Sequence, residues 1–438
     1  MSGLVVIVLV ATCWCVVLGT YAYVARRDGQ PPADDIGIVW LFVMALYATI
    51  PPLAWWLQGA YYGASANPRL YVLEPTAGEV CEVLQISLAY VVAFAFAYVA
   101  TRRRTTLSPR VECPRIDAGK LIVAAAIVLL FKAVMLVLRL RGVVRASDSY
   151  IDSYVSMNEL PIVTRQLIKI GSGIATIAQL VFLVGLLQRP RLRVVVAAYV
   201  LALLLSFDPE GARTAVVTGL LAAAVAWHVL VRPIRARWWL AAITVGILAF
   251  LALGARRGFE SSHGSALLSL NLGEFDSLWA NNLELLADKA HHWTHVPFTT
   301  RFGELWAFVP SQLLPFEKTS LSIWFVDTFQ HDYAQQGGGF AFGAVAQAVI
   351  GGGIIEALLR GALLGWIAGR LVRWHRTPTR AWWHLPLYLY LLVTAYESVR
   401  DTTFSELGNL VQIVIPALFV IWLIGRQLSR DPAVATSP

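Results

Sequence analysis

Apolar positions in this chain come in long runs, beginning with "LVVIVLVATCWCVVLGTYAYV" at residues 4–24. Runs of about 20 residues recur from end to end, and each is long enough to cross a hydrocarbon core of roughly 30 Å as a helix. The pattern predicts eleven spans, at about 3–24, 37–57, 79–100, 121–140, 162–187, 192–207, 213–231, 238–254, 353–371, 382–398 and 405–425. The expected fold class is therefore all-α, a polytopic membrane helix bundle forming a single transmembrane domain over residues 1–438. The opening run lacks a preceding basic stretch and a small-x-small cleavage site, so it reads as the first span rather than a signal peptide.

Polar positions between the runs alternate in charge. Arg26 and Arg27, "RRR" at 102–104, "RPRLR" at 189–193, "RPIRAR" at 232–237, "RLVRWHR" at 370–376 and Arg426 with Arg430 fall on one side. By the positive-inside rule that side is cytoplasmic, which puts the N-terminus outside and the C-terminus inside. The opposite side carries the longest non-spanning segment, 255–352, expected to form a helical periplasmic cap.

Composition agrees, at 58% hydrophobic and 14% charged residues against the roughly quarter charged of soluble domains. The net charge of +8 is spread as topology demands, so nucleic acid is not an expected partner. Cys13, Cys15, Cys81 and Cys113 have no metal-ligand spacing, and no disulfide framework is indicated. His291 and His295 in "HHWTH" lack the glutamate of a HExxH motif, so no metal is expected.

Several arginines break the charge rule by sitting at outer helix ends. Arg213 follows Asp208 and Glu210 in "DPEGAR", Arg256 and Arg257 close the eighth span, and Arg400 ends the tenth in "AYESVRDTTF" beside Glu397 and Asp401. A turn with a snorkelling arginine would explain the first. A basic rim at headgroup depth, offering bidentate recognition of phosphate oxygens, explains them together. Glu356 and Arg360 in "GGGIIEALLRG" stand one turn apart, a spacing read here as a structural ion pair within a span. Lys132 and Lys169 are further charges inside spans. "WAFVPSQLLPF" at 306–316 reads as an interfacial amphipathic segment.

These stretches, in order, carry a resemblance. "DSYIDSYVSMNE" after the fourth span, Gly211 and Arg213 before the seventh, "ARRG" after the eighth, "NNLELL", "FVPSQLLPFEKTSLSIWF", the glycine run into the ninth span and "VRD" at 399–401 resemble the Wzy-type repeat-unit polymerases, above all the enterobacterial common antigen branch. The resemblance covers about residues 145–415; Arg301 lies farther from Pro310 than the family's arginine, and Asp401 stands where the family has glutamate. It implies a fold similar to the GT-C-like lipid-dependent glycosyltransferases. It also implies polymerisation of undecaprenyl-diphosphate-linked oligosaccharides at the periplasmic face of the bacterial inner membrane. The partners it implies are those lipid-linked units, membrane lipids and a chain-length regulator protein, with no cofactor.

Such a transfer mainly requires stabilising the departing diphosphate by fixed cations. Arg213, Arg256, Arg257 and Arg400 are the expected diphosphate-binding residues. Asp401, Glu304 and His331 are the expected general-base candidates, with Asp276 behind them. Trp293, Trp306, Trp324 and Tyr333 could stack on sugar faces. An O-antigen ligase-type enzyme is the nearest alternative; a lipid-linked sugar transporter would call for broken helices and internal repeats, which the sequence lacks.

Overall fold

The computed structural model describes residues 3–29, 31–57, 75–102, 113–142, 160–205, 213–239, 241, 244, 274–291, 294–306, 309, 313–331, 341–377, 381–403, 408 and 410–428. Every element among them is helical. Five helices are long and apolar enough to cross a membrane: α1 (Gly3–Asp28), α2 (Ile36–Leu57), α3 (Ala77–Thr101), α4 (Ala118–Leu140) and α5 (Ile162–Leu187). This is a helical membrane protein. Then follow α6 (Arg193–Leu205), α7 (Arg213–Leu230), α8 (Glu274–His291), α9 (Leu321–Phe329), α10 (Ala344–Ile350), α11 (Ile354–His375), α12 (His384–Thr394) and α13 (Ile415–Leu428), the last continuing a π-helical turn at Leu410–Val414. Helices α6, α7, α11, α12 and α13 fall within five more of the stretches expected as spans but are not themselves among the helices long and apolar enough to cross, and most of 238–254 lies outside the described residues.

Local chemistry starts several helices where they are needed. Thr76 accepts from the Glu79 amide while Glu79 reaches back to the Thr76 amide, a reciprocal cap that opens α3. Asp117 caps α4 by accepting from the Lys120 amide, and Asp35 caps α2 through the amides of Gly37 and Ile38.

The most extensive helix contact joins α3 and α11. Gly361, Gly365 and Gly369 make it possible: a Cβ at the first two would overlap the backbone carbonyls of Tyr90 and Phe94, and at the third the Thr101 side chain. Small residues at every fourth position let two backbones approach closely where lipid supplies no hydrophobic drive between helices. With α1 and α2 this pair forms one half of the bundle; α4 to α7 and α13 form the other. Between them lies α12, buried at every residue from His384 to Val393, as a helix apolar all round must be.

One end of the bundle is closed by buried charge. Arg102, at the end of α3, pairs with Asp28 and with Asp35, the latter at 2.9 Å; Arg376, at the end of α11, pairs with Asp28 at 2.6 Å. His375 stacks on the Tyr388 ring at 3.7 Å, and the Tyr388 hydroxyl donates to the Asp34 carbonyl while accepting from the Ile36 amide. Burial works against the Asp34 carboxylate, but His375, Arg376 and His228 outweigh it and hold the group well below the usual carboxylate range. Arg102 and Arg376, read from sequence as topology markers, are thus buried structural ion-pair partners as well.

At the other end the cap is set into the bundle rather than above it. The Trp279 indole of α8 donates to the Tyr47 carbonyl of α2 at 2.9 Å and stands edge-on to Trp55. Asn281 donates to the carbonyls of Ala341 and Phe342, which ties α8 to the start of α10.

Candidate functional site

Where the cap meets α11, charged and polar side chains from four separated stretches converge. Arg360 is the hub: its Nη1 donates to Glu304 at 2.6 Å and to Gln347 at 3.1 Å, and its Nε donates to Glu356 at 2.8 Å. Arg360 and Glu304 keep only 7% and 4% of their side chains exposed, so this is an ion pair withdrawn from water. Glu356 in turn accepts from Arg301 at 2.6 Å and from the Gly352 amide at 2.8 Å. Gln347 passes the network on: its Oε1 accepts from the amide and hydroxyl of Thr403, and the Tyr90 hydroxyl of α3 donates to Thr403 at 3.1 Å.

The backbone is shaped to allow this. Gly353 sits at φ +58° and opens α11, a conformation that suits glycine. At Gly351 a Cβ would overlap both the Glu356 carboxylate and the Arg301 guanidinium. The glycine triplet is therefore the gap through which Arg301 reaches Glu356.

A second carboxylate group stands beside the hub. Glu397 and Asp401 are one turn apart at the ends of the short helix Glu397–Arg400, and the Asp401 amide donates to the Glu397 carbonyl at 2.9 Å. Burial first, then the negative charges of Glu397 and Glu304, outweigh Arg400 and Lys169 and push the Asp401 carboxyl up to about 6. Glu304 has no such latitude in geometry: one oxygen is engaged by Arg360 and the other by the Gln347 amide at 3.1 Å. Asp401, with its raised proton affinity, is suited to accept a proton near neutral pH. Lys169 of α5, flagged in the sequence only as a charge within a span, acts electrostatically on Glu397 and Asp401.

Glu304, Arg400 and Asp401 are thus brought together, although a hundred residues separate the first from the others. His331 is exposed after α9, next to Gln330, which donates to Glu284 of α8. Arg213 is the first residue of α7, with its side chain outside the described part; Arg256 and Arg257 lie wholly outside it. Asp276 is buried in α8. Sequence reasoning missed Gln347 and Thr403, noted Arg301 without giving it a role, and treated Glu356–Arg360 as a self-contained pair. Their i, i+4 spacing was a visible signal, and a buried ionic pair on a span that must face the bundle interior was the cue that more partners existed.

Among the described residues no group of three histidine, cysteine, aspartate or glutamate side chains is arranged to hold a metal ion. The arrangement offers instead fixed cations beside a carboxylate of raised proton affinity, suited to stabilising an anion while taking up a proton.

The chain matches no family model, no curated protein and no solved structure. Beside the network, α8, residues 294–301, α9 and α10 line a cavity of about 100 Å³, whose wall includes Arg301. A second, smaller space of about 30 Å³ is lined by Met44, Tyr90, Trp279 and Asn282 among others.

Proposed function

We propose that this chain is a lipid-diphosphate-dependent glycosyltransferase that polymerises undecaprenyl-diphosphate-linked oligosaccharide units. In this reading it crosses the bacterial inner membrane eleven times, with its N-terminus and cap in the periplasm and its C-terminus in the cytoplasm. The bond from the anomeric carbon of the growing chain to its diphosphate breaks, and a bond from that carbon to a hydroxyl at the non-reducing end of a new unit forms. The hydroxyl proton passes to Asp401, and undecaprenyl diphosphate leaves with the bonding electron pair. Arg213, Arg256, Arg257 and Arg400 receive the diphosphate charge, and the Arg360 hub keeps Glu304 in place as a fixed negative neighbour of Asp401.

The observation that carries this reading is the convergence of Glu304, Arg360, Arg400 and Asp401 at one end of an apolar bundle. Preorganised charges in a low-dielectric setting stabilise a departing anion without reorganising, which is the main demand of the transfer. Among the described residues, the end with the buried Asp28–Arg102–Arg376 cluster holds its charges in mutual ion pairs.

The test is reconstitution in lipid nanodiscs with native lipid-linked units and chelator, and without nucleotide sugar. A ladder of increasing repeat number is expected. Transfer of preformed polymer to a lipid A acceptor with no ladder would replace polymerisation with ligation, and inactivity toward both would end the reading.

A further inference from the structure

Gln347 stands in the middle of α10, whose sequence "AVAQAVI" is otherwise alanine, valine and isoleucine. Its side chain is 1% exposed, and a carboxamide so far from water is costly unless its partners are present. They are present. Its Nε2 donates to the Glu304 oxygen that Arg360 leaves open, and its Oε1 accepts from Arg360, from the Thr403 amide at 2.8 Å and from the Thr403 hydroxyl at 2.9 Å. These partners fix the orientation of the amide, because an ionised carboxylate only accepts while a guanidinium or a backbone N–H only donates.

One side chain therefore joins three distant parts of the sequence: the Gly303–Trp306 turn that carries Glu304, the charged face of α11, and the backbone two residues after Asp401. The points it joins are themselves held. Helix α10 starts at Gly343, whose φ of +96° suits glycine, and Asn281 holds the two carbonyls just before it. Ser398 and Val399 bury the short helix that precedes Asp401, and the Tyr90 hydroxyl donates to Thr403 from α3. We infer that Gln347 is a positioning residue of the site: it clamps the turn carrying Asp401 to Glu304, so that the seating of Glu304 against α11 and the placement of the Asp401 carboxylate are one event. The inference rests on the proposed role of Asp401 as proton acceptor, and adds what holds it in place. The charges that act on Asp401 are Glu397 and Arg400 of its own short helix, Glu304 from the cap and Lys169 of α5. Without the clamp, Asp401 loses part of its burial and its closeness to Glu304. Both raise its proton affinity, so its titration should move to lower pH.

Two readouts on the full chain in nanodiscs test this. The first needs no catalysis: the infrared absorption of the protonated carboxyl that disappears in Asp401→Asn, followed against pH. Its midpoint should lie near about 6 in the parent and fall in Gln347→Met. It should fall less in Thr403→Val, which keeps the amide bond to Gln347 and loses the hydroxyl, and return to the parent value in Thr403→Ser. The second readout is the initial rate in the ladder assay. Gln347→Met should lower kcat by about tenfold to hundredfold, the cost of moving a catalytic group by about 1 Å, with KM within about twofold of the parent. A glutamine that only supports the fold would lower the melting temperature and leave both the midpoint and the kcat of the folded protein unchanged; that result overturns the inference. Should Gln347→Met not fold, Thr403→Val against Thr403→Ser decides on the same readouts. A midpoint that moves while no ladder forms keeps the clamp without the polymerase. A ladder with an unmoved midpoint keeps the polymerase and refutes the clamp.

Discussion

At the scale of residues, Asp401 and Arg360 play different parts in the network where residues 301–304 meet α11. A carboxyl pushed up to about 6 is protonated below that pH and able to accept a proton above it. Transfer activity should therefore rise through pH 6 and level off above it, and Asp401→Asn should remove both the activity and the limb. The same shift has a consequence for stability. The folded state binds the Asp401 proton more tightly than the unfolded chain does, so this group's stabilising contribution is full below the ordinary value of 3.8 and declines as pH rises toward about 6. Melting curves of parent and Asp401→Asn should diverge over that window. Arg360 is a different kind of residue. Removing one partner from a buried pair leaves the other charge stranded, at a cost of about 3–5 kcal/mol. Arg360→Ala should lower the melting temperature markedly in detergent, and Arg360→Ala with Glu304→Gln should recover part of the loss.

At the scale of elements, the contact between α3 and α11 depends on absent side chains. Gly365→Leu would drive a branched side chain into the Phe94 carbonyl, where the backbone cannot yield. Overpacking of this sort costs about 1–3 kcal/mol or more, so Gly365→Leu should melt well below the parent. Gly19→Leu, with nothing within 4 Å of its Cβ, should melt close to it. This glycine stripe stands in "GALLGWIAG", but small residues at every fourth position do not encode which helix they meet. Helix existence was readable: runs long enough to cross a bilayer are set by hydropathy, and α1 to α5 lie within a few residues of their expected bounds. The site was readable only in part. Glu304, Arg400 and Asp401 could be picked by type and position. That Arg360 binds Glu304, or that Gln347 links to Thr403, could not, because such pairings are set by how the cap inserts between helices, and nothing local encodes that insertion.

At the scale of the whole molecule, the ends of α1, α3 and α11 and the start of α2 meet in the Asp28–Asp35–Arg102–Arg376 cluster, so α1, α3 and α11 run in the same direction and α2 runs against them. If that end is cytoplasmic, a fluorescent protein fused after Pro438 should fold and fluoresce. Alkaline phosphatase inserted between residues 258 and 273 should be active. The reverse pair of results would place the Arg360 network in the cytoplasm and require a cytosolic substrate.

The glycine seam also sets a mechanical relation between the two ends. Arg360 lies in α11 and Arg376 caps it, 16 residues or about 24 Å apart by helical rise, and the seam from Gly361 to Gly369 holds that helix to α3 along about half of the distance. The pair is a fixed post with a charge cluster near each end. If the chain takes the lipid-linked substrate proposed above, the opening that admits it is expected in elements other than this pair.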